Sequence, residues 1–233
     1  MESNYSNEYI PQGAYAPYEM PGEVYGTEVF EVNADLRAVA VQLARTGTLK
    51  DTVEAQEYRL NYASKDSVYE AATQPPSVVE CDVATSDVYY SGNILSSAFD
   101  KISAVWTNGS AHYCNSAQED NATLEALLRA SLHKLVDFSR IIVMRTASDY
   151  DRPAPDESAA YHLLYSEQGG GSSLAFQNLY HAGVPVVSGI LANWNTTFAA
   201  GIKPSNYIGD MLGSLGGNPD FGPGKEEALE RAL

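Results

Sequence analysis

The side chains that chemistry needs gather in short groups along this sequence. Ser148–Asp149, with Arg145 just ahead, follows the apolar run Ile141–Met144 inside DFSRIIVMRTASDYDRPAP, Asp137–Pro155. In open α/β sheets, ligands bind beyond the carboxyl ends of the strands. A carboxylate placed there can act as a general acid when burial raises its pKa. The alternative is a solvated loop with local Arg–Asp pairs. Gln118–Glu119 comes next, directly ahead of a Leu-rich helical pattern. A carboxylate in that place either binds ligand hydroxyls or serves the helix terminus. Two carboxylates at neighbouring strand ends would suit holding a sugar and protonating a leaving group. Ser91–Gly92–Asn93 reads as a tight turn.

Other chemistries find little support. The four histidines, His112, His133, His162 and His181, show no HxH or HxxxH spacing, and Cys81 and Cys114 are far apart, so no metal site is expected. There is no GxSxG, no P-loop and no GxGxxG. The Gly169–Gly171 run could hold an anion on its backbone N–H groups, or be a flexible loop. The formal charge of −16 would repel a phosphate backbone, which excludes nucleic acid as an expected partner. No apolar run approaches the ~18 residues of a membrane span. The opening MESNYSNEYIPQG is too polar for a signal peptide. Sequons at Asn108, Asn121 and Asn195 permit a secretory history. Cys81 and Cys114 could form a disulfide or stay as two buried thiols.

The elements that must position these groups follow from periodicity. Residues 1–23 read as an irregular leader, and Val24–Val32 alternates loosely up to Asn33, a good N-cap. Leu36, Val39, Ala40 and Leu43 mark a helix, and Asp51 would cap a second one running to Tyr62. Lys65–Pro76 is a loop. Val78–Val83, Asp87–Tyr90 and Ala104–Thr107 read as strands, with a short amphipathic stretch to Phe99 between them. Asn108–Ala117 is polar and irregular. Asp120 or Asn121 caps a helix whose apolar face is Leu124, Leu127, Leu128, Leu132 and Leu135. Arg140–Thr146 is the expected central strand, and 151–173 a long loop or lid. Leu174–His181 and Ile190–Ala200 read as helices, with Val184–Val187 continuing the sheet. Tyr207–Leu215 is a short helix or turn, 216–224 a turn-rich stop and 225–233 a charged tail. Strand–helix alternation argues an α/β fold over a single domain, 1–233.

Longer stretches carry a resemblance. YGTEVFEVN (Tyr25–Asn33), QPPSVVECDVATSDVYYSG (Gln74–Gly92), QEDNATLEALLR (Gln118–Arg129), VMRTASDYDRP (Val143–Pro153) and the Lys203–Pro223 segment resemble the fungal purine nucleoside permease family. That family is in turn distantly similar to the purine nucleoside phosphorylases and methylthioadenosine nucleosidases. The resemblance implies a three-layer αβα fold with a central mixed sheet, lacking the family's N-terminal strands, in a chain shortened at its N-terminus. It implies that Asp149, with Ser148, protonates or hydrogen-bonds the purine. It implies that Glu119 holds the ribose hydroxyls, with Gln118 where the superfamily has Met. Ser91–Gly92–Asn93 resembles the superfamily's Ser-Gly-Asp turn, its neutral Asn replacing the acid. Arg145 lies close enough to join the substrate-binding set.

The expected ligand is a purine nucleoside. The first expectation is N-glycosidic cleavage, phosphorolytic or hydrolytic, through an oxocarbenium-like state, with no cofactor and phosphate as the co-substrate in the phosphorolytic case. The alternative is a nucleoside-binding protein that contributes to transmembrane transport without spanning the membrane, or an inactive fragment. The superfamily analogy adds a homo-oligomer, and the resemblance allows a secretory or membrane-associated location.

Overall fold

The computed structural model describes residues 10–211, except positions 23, 24, 87, 88 and 167. The expectations for 1–9, 216–224, the 225–233 tail and part of Asp87–Tyr90 lie outside the described residues. The fold is mixed α/β. Six α-helices are described, α1 (Ala34–Ala44), α2 (Val53–Arg59), α3 (Asn93–Trp106), α4 (Asp120–Leu132), α5 (Ala159–Tyr165) and α6 (Gly171–Ala192). They are joined by short strands β1 (Phe30–Glu31), β2 (Asp82–Thr85), β3 (Tyr113–Ala117) and β4 (Gly209–Asp210). In place of one central mixed sheet, the described residues form two two-stranded sheets, antiparallel β1–β4 and parallel β2–β3. No helix among them is long and apolar enough to cross a membrane.

The expected central strand is the main correction. Arg140 ends a 3-10 turn, Phe138–Arg140, and Ile141–Ala147 is extended but joins no ladder among the described residues. Its side chains still alternate as a strand's do. Ile142 and Met144 pack on Ala40, Ala44, Ala182 and Val186 of α1 and α6. Ile141 and Val143 pack on Leu124 and Leu128 of α4, with Phe138 and Ile208. A continuous apolar run is what a segment covered on both faces requires, and both covers are present.

Local signals explain several elements. Asn33 is fully buried, and its Oδ1 accepts from the Leu36 N–H at 3.1 Å, capping α1 as expected. Its Nδ2 donates to the Ser139 and Ile202 carbonyls at 3.0 and 2.6 Å, so the same side chain pins three stretches of chain. Thr52, not Asp51, caps α2. Asp51 instead receives Arg59 in a two-pronged ion pair, one prong at 2.6 Å, and a 3-10 turn, Leu60–Tyr62, follows. Within the expected 65–76 loop, Ser67–Tyr69 and Ala71–Thr73 form 3-10 turns.

Elsewhere tertiary contacts override pattern. Ala104–Thr107, read as a strand, is the end of α3 and its cap. The polar 113–117 stretch, read as irregular, is β3. It pairs in parallel with β2 across α3, giving a βαβ unit, and a Cys81–Cys114 disulfide joins the two strands. The expected lid holds α5, capped by Ser158. Val184–Val187 is helical, because α6 runs unbroken through Pro185 and ends in a π-turn, Trp194–Phe198. Of the Leu face on α4, Leu124 and Leu128 are buried while Leu132 and Leu135 are exposed. The 207–211 stretch contributes β4.

Candidate functional site

The segment leaving Met144 separates two polar clusters. On one side Arg145 reaches back to the start of α4. It forms an ion pair with Glu119 at 3.0 Å and a closer, two-pronged one with Asp120. Hydrogen bonding to Asp120 raises the guanidinium pKa above its ordinary value, ahead of an opposing desolvation. Asp120 is 14% exposed and Glu119 63%, so Asp120 is the tighter partner. Glu119 occupies the N-cap position of α4, and its side chain makes no cap bond to the helix. It accepts instead from the Gln118 N–H at 3.2 Å.

Between Arg145 and the first turns of α6 lies a half-open cavity of about 330 Å³. Arg145, Thr146, Ser148 and Ser172 give it polar walls, and Met144 and Phe176 are among its apolar ones. Gly171 lets α6 come this close, because a Cβ there would stand 2.2 Å from the Ser148 carbonyl oxygen. The glycine run is therefore a packing device in this fold. Gly169 lies against Tyr58 and Gly170 against Glu54 in the same way.

On the other side, Asp149 turns away from the cavity. Its Oδ2 accepts from the Tyr89 hydroxyl, and its Oδ1 from the Tyr150 N–H at 2.6 Å. Burial, then the bond to Asp149, pushes the Tyr89 pKa up to about 12. His162, on α5, stands behind it with Nε2 4.0 Å from Asp149 Oδ1. The His162 side chain is 1% exposed and fully partnered. Ser91 Oγ lies 2.7 Å from Nδ1, and Tyr62 and Gln168 lie 3.1 and 3.2 Å from Nε2. The donor and acceptor roles of the two ring nitrogens depend on the tautomer. Ser91–His162–Asp149 has the outline of a nucleophile–base–acid series, but the Asp149 carboxylate stands 4.0 Å from Nε2, beyond hydrogen-bond distance, and Tyr62 and Gln168 occupy that nitrogen.

A tyrosine nest supports this histidine. The Tyr62 and Tyr150 rings stack at 4.2 Å between centroids, and Tyr58 and Tyr69 flank them. Burial pushes the Tyr62 hydroxyl well above its ordinary pKa. The high tyrosine count of the sequence is partly spent here.

The residues singled out from sequence are therefore divided. Arg145, Glu119 and Gln118 meet on one side, Ser91 and Asp149 meet through His162 on the other, and Ser148 faces the cavity between. Gly92 has φ +135°, a conformation open to glycine, and its N–H donates to the Asp151 carbonyl at 3.0 Å. Asn93 is the first, exposed residue of α3. Sequence reasoning missed His162, because it sits in a seven-residue helix inside a presumed loop. The Ser158 cap followed by Tyr161-His162-Leu163-Leu164 was the available signal. Sequence reasoning read Asp120 as a helix cap, where the structure makes it the first residue of α4 and Arg145's partner, and it missed Phe176 and Ser172. Arg152 pairs with Asp151 at 3.5 Å. No cluster of His, Cys, Asp and Glu suited to a metal ion occurs among the described residues.

Comparison with known proteins gives a consistent answer. The family profile described as Purine nucleoside permease (NUP) matches residues 1–203. A purine nucleoside permease of Candida albicans is 46% identical over 217 residues, which are 92% of this chain and 52% of that protein. A Schizosaccharomyces pombe protein described as a probable purine nucleoside permease is 39% identical over 194 residues, 83% of this chain and 52% of its own length. The chain thus spans about half the length of the curated relatives it matches. No solved structure matches.

Proposed function

The chain belongs to the purine nucleoside permease family, and on that premise we propose that it binds purine nucleosides in the cavity between Arg145 and α6, as part of nucleoside uptake. The observation that carries this reading is the cavity itself. At about 330 Å³ it has the size of a small-ligand site, with an aromatic wall and a few convergent polar groups. Phe176 offers a face for the flat base, and Thr146, Ser148 and Ser172 offer hydroxyls to the sugar. Glu119 lies across Arg145, where it can reach the ribose diol. Arg145 is answered by two carboxylates, so the site is neutral to acidic and favours an uncharged nucleoside over a nucleotide.

Binding for uptake stands ahead of glycosidic cleavage, because the names of the relatives speak of permeation. No described helix is long and apolar enough to cross a membrane, so none of the described helices is assigned a spanning role. The finer fold reading is that Ile141–Thr146 holds the central-strand place of a nucleoside-phosphorylase-like αβα sandwich. Apolar clusters on both its faces support that reading.

Titration calorimetry with adenosine, guanosine and AMP tests the site. Nucleosides are expected to bind and AMP to bind at least about tenfold more weakly. Ser172 is exposed at the cavity, so Ser172→Trp should fill it and weaken nucleoside binding by about tenfold or more with an unchanged melting curve. Full affinity in that variant would remove this cavity from the function. The same samples, with and without phosphate, report cleavage as free base. Base release that Asp149→Asn abolishes would replace the binding reading with an enzymatic one.

A further inference from the structure

Helix α3 stops on an asparagine. Thr107 is its C-cap residue, and Asn108 follows in the left-handed region with φ +49°, where glycine usually stands. The backbone closes around that turn. The Gly109 N–H donates to the Ala104 carbonyl at 2.7 Å and the Asn108 N–H to the Val105 carbonyl at 3.3 Å, the paired bonds of a Schellman stop. The Ser110 N–H donates to the Thr107 carbonyl at 3.1 Å. The turn is thus fixed by its backbone, while Asn108, Gly109 and Ser110 are all exposed. A Cβ on Gly109 would meet nothing within 4 Å. Asn108-Gly109-Ser110 is also an acceptor triplet for an N-linked oligosaccharide.

We propose that Asn108 carries an N-linked glycan, attached in an oxidising lumen, and that Asn121 stays bare. The Asn108 Nδ2 bonds to the anomeric carbon of an oligosaccharide held on a lipid diphosphate. The carbon–oxygen bond to the diphosphate breaks, the lipid diphosphate leaves with that electron pair, and Nδ2 loses one proton. A transferase of the same lumen brings the lipid-linked sugar. The Cys81–Cys114 disulfide is an independent sign of such a compartment. Cys114 is exposed, so a reducing thiol pool would reach the bridge and open it. The fold also sorts the acceptor triplets among the described residues. Asn121-Ala122-Thr123 lies in the first turn of α4, and the Asn121 Oδ1 is buried. A glycan there would crowd the neighbouring Asp120–Arg145 pair. Asn195-Thr196-Thr197 is exposed but sits in the π-turn Trp194–Phe198, where the Thr197 N–H is tied to the Asn193 carbonyl at 2.9 Å. Asn108 combines exposure with a non-helical backbone and open space around it. Its place spares the candidate site as well. Residues 108–112 lead into the amino end of β3, whereas Gln118–Glu119 leave from its carboxyl end. Ser91 lies just before the start of α3, roughly 21 Å along that helix from Asn108.

Peptide mapping of the full chain, purified from the cells that make it, tests the proposal. A glycan-releasing amidase working in heavy-oxygen water turns each glycosylated Asn into a heavy-labelled Asp. Label is expected in the peptide that holds Asn108 and not in the one that holds Asn121. Ser110→Ala keeps Asn108 and its backbone turn but breaks the triplet, so the label at 108 and the glycan's mass should both be lost. Ser110→Thr restores a hydroxyl and should keep both, which separates loss of the acceptor from loss of the fold. An Asn108 peptide without label overturns the proposal and leaves Asn108 as a helix stop alone. So does label on Asn121 in the folded chain, or label at Asn108 that survives Ser110→Ala. Full reaction of Cys81 and Cys114 with a maleimide before any reductant is added also overturns it, because the chain then resides in a reducing compartment.

Discussion

The clusters on either side of residues 145–149 use opposite means to hold the same segment. Around His162 a ring that is 1% exposed is held by the uncharged side chains of Ser91, Tyr62 and Gln168, with the Asp149 carboxylate 4.0 Å away. Around Arg145 the groups are charged and open to water, with Glu119 63% exposed. A buried network is costly to break, because every lost partner leaves another polar group stranded. An exposed ion pair contributes little, since water replaces it. The first cluster should therefore control whether the chain folds, and the second should be free to change with ligand.

The largest expected effect comes from the buried side. His162→Ala takes a partner from Ser91, Tyr62 and Gln168 and opens a void among them, with Tyr62 keeping its bond to the Arg152 carbonyl, and should cost about 3 kcal/mol. Thermal unfolding would then shift down by roughly 6–12 °C. A shift below about 2 °C would mean that the network is not what holds the segment. Depth without neutrality is tested by Asp51–Arg59, an ion pair whose side chains are 23% and 12% exposed. Asp51→Asn should cost about 1–2 kcal/mol near neutral pH. The Arg59 hydrogen bond holds Asp51 below the usual carboxylate range. Its contribution is thus complete above the unfolded value of about 4 and fades as pH falls through the lower folded value. The difference in melting temperature between parent and variant should close in acid. A gap that does not narrow at all as the pH is lowered below about 4 would assign the loss to something other than charge.

Smaller effects belong to the open side. Asp120→Asn should cost about 1 kcal/mol, read by urea unfolding, because that carboxylate is the better buried of Arg145's two partners. Glu119→Gln should change stability by less than about 0.5 kcal/mol. It should still erase any preference for ribose over 2′-deoxyribose in the binding assay. Equal discrimination in parent and variant would leave Glu119 as an ion-pair partner alone.

What the sequence revealed was mostly local. Asn33 and the period that follows it specify α1, and the Leu spacing specifies α4, because cap and stripe lie within a few residues of each other. The run 141–144 announced burial on two faces correctly. It could not announce the absence of a ladder, since hydrogen-bonding partners come from elsewhere in the chain. Tyr113–Ala117 has no strand pattern and becomes β3 through a register with β2 set 31 or more positions earlier. Val184–Val187 has strand-like composition, but Ala182, Val186 and Gly189 fit α1 only as one helical face. The site divides in the same way. Arg145 and Glu119 were visible as charges near element ends. His162 was not, since its importance lies in Ser91, Tyr62 and Gln168, whose convergence no spacing encodes.

The Cys81–Cys114 bridge bears on how uniquely that convergence is set. Two parallel strands of four and five residues hold their register weakly, and a two-residue slip keeps every side chain on its own face. Such a slip would carry Tyr113 past Asp151, whose carboxylate accepts from the Tyr113 hydroxyl at 2.7 Å. Asp151 also accepts from Gly92 and Ser96 through its carbonyl, so the start of α3 would be reset with it. A covalent tie across the pair forbids the slip. The bridge thereby works as an index mark, fixing which of several near-equivalent alignments the βαβ unit adopts and where Ser91 comes to rest.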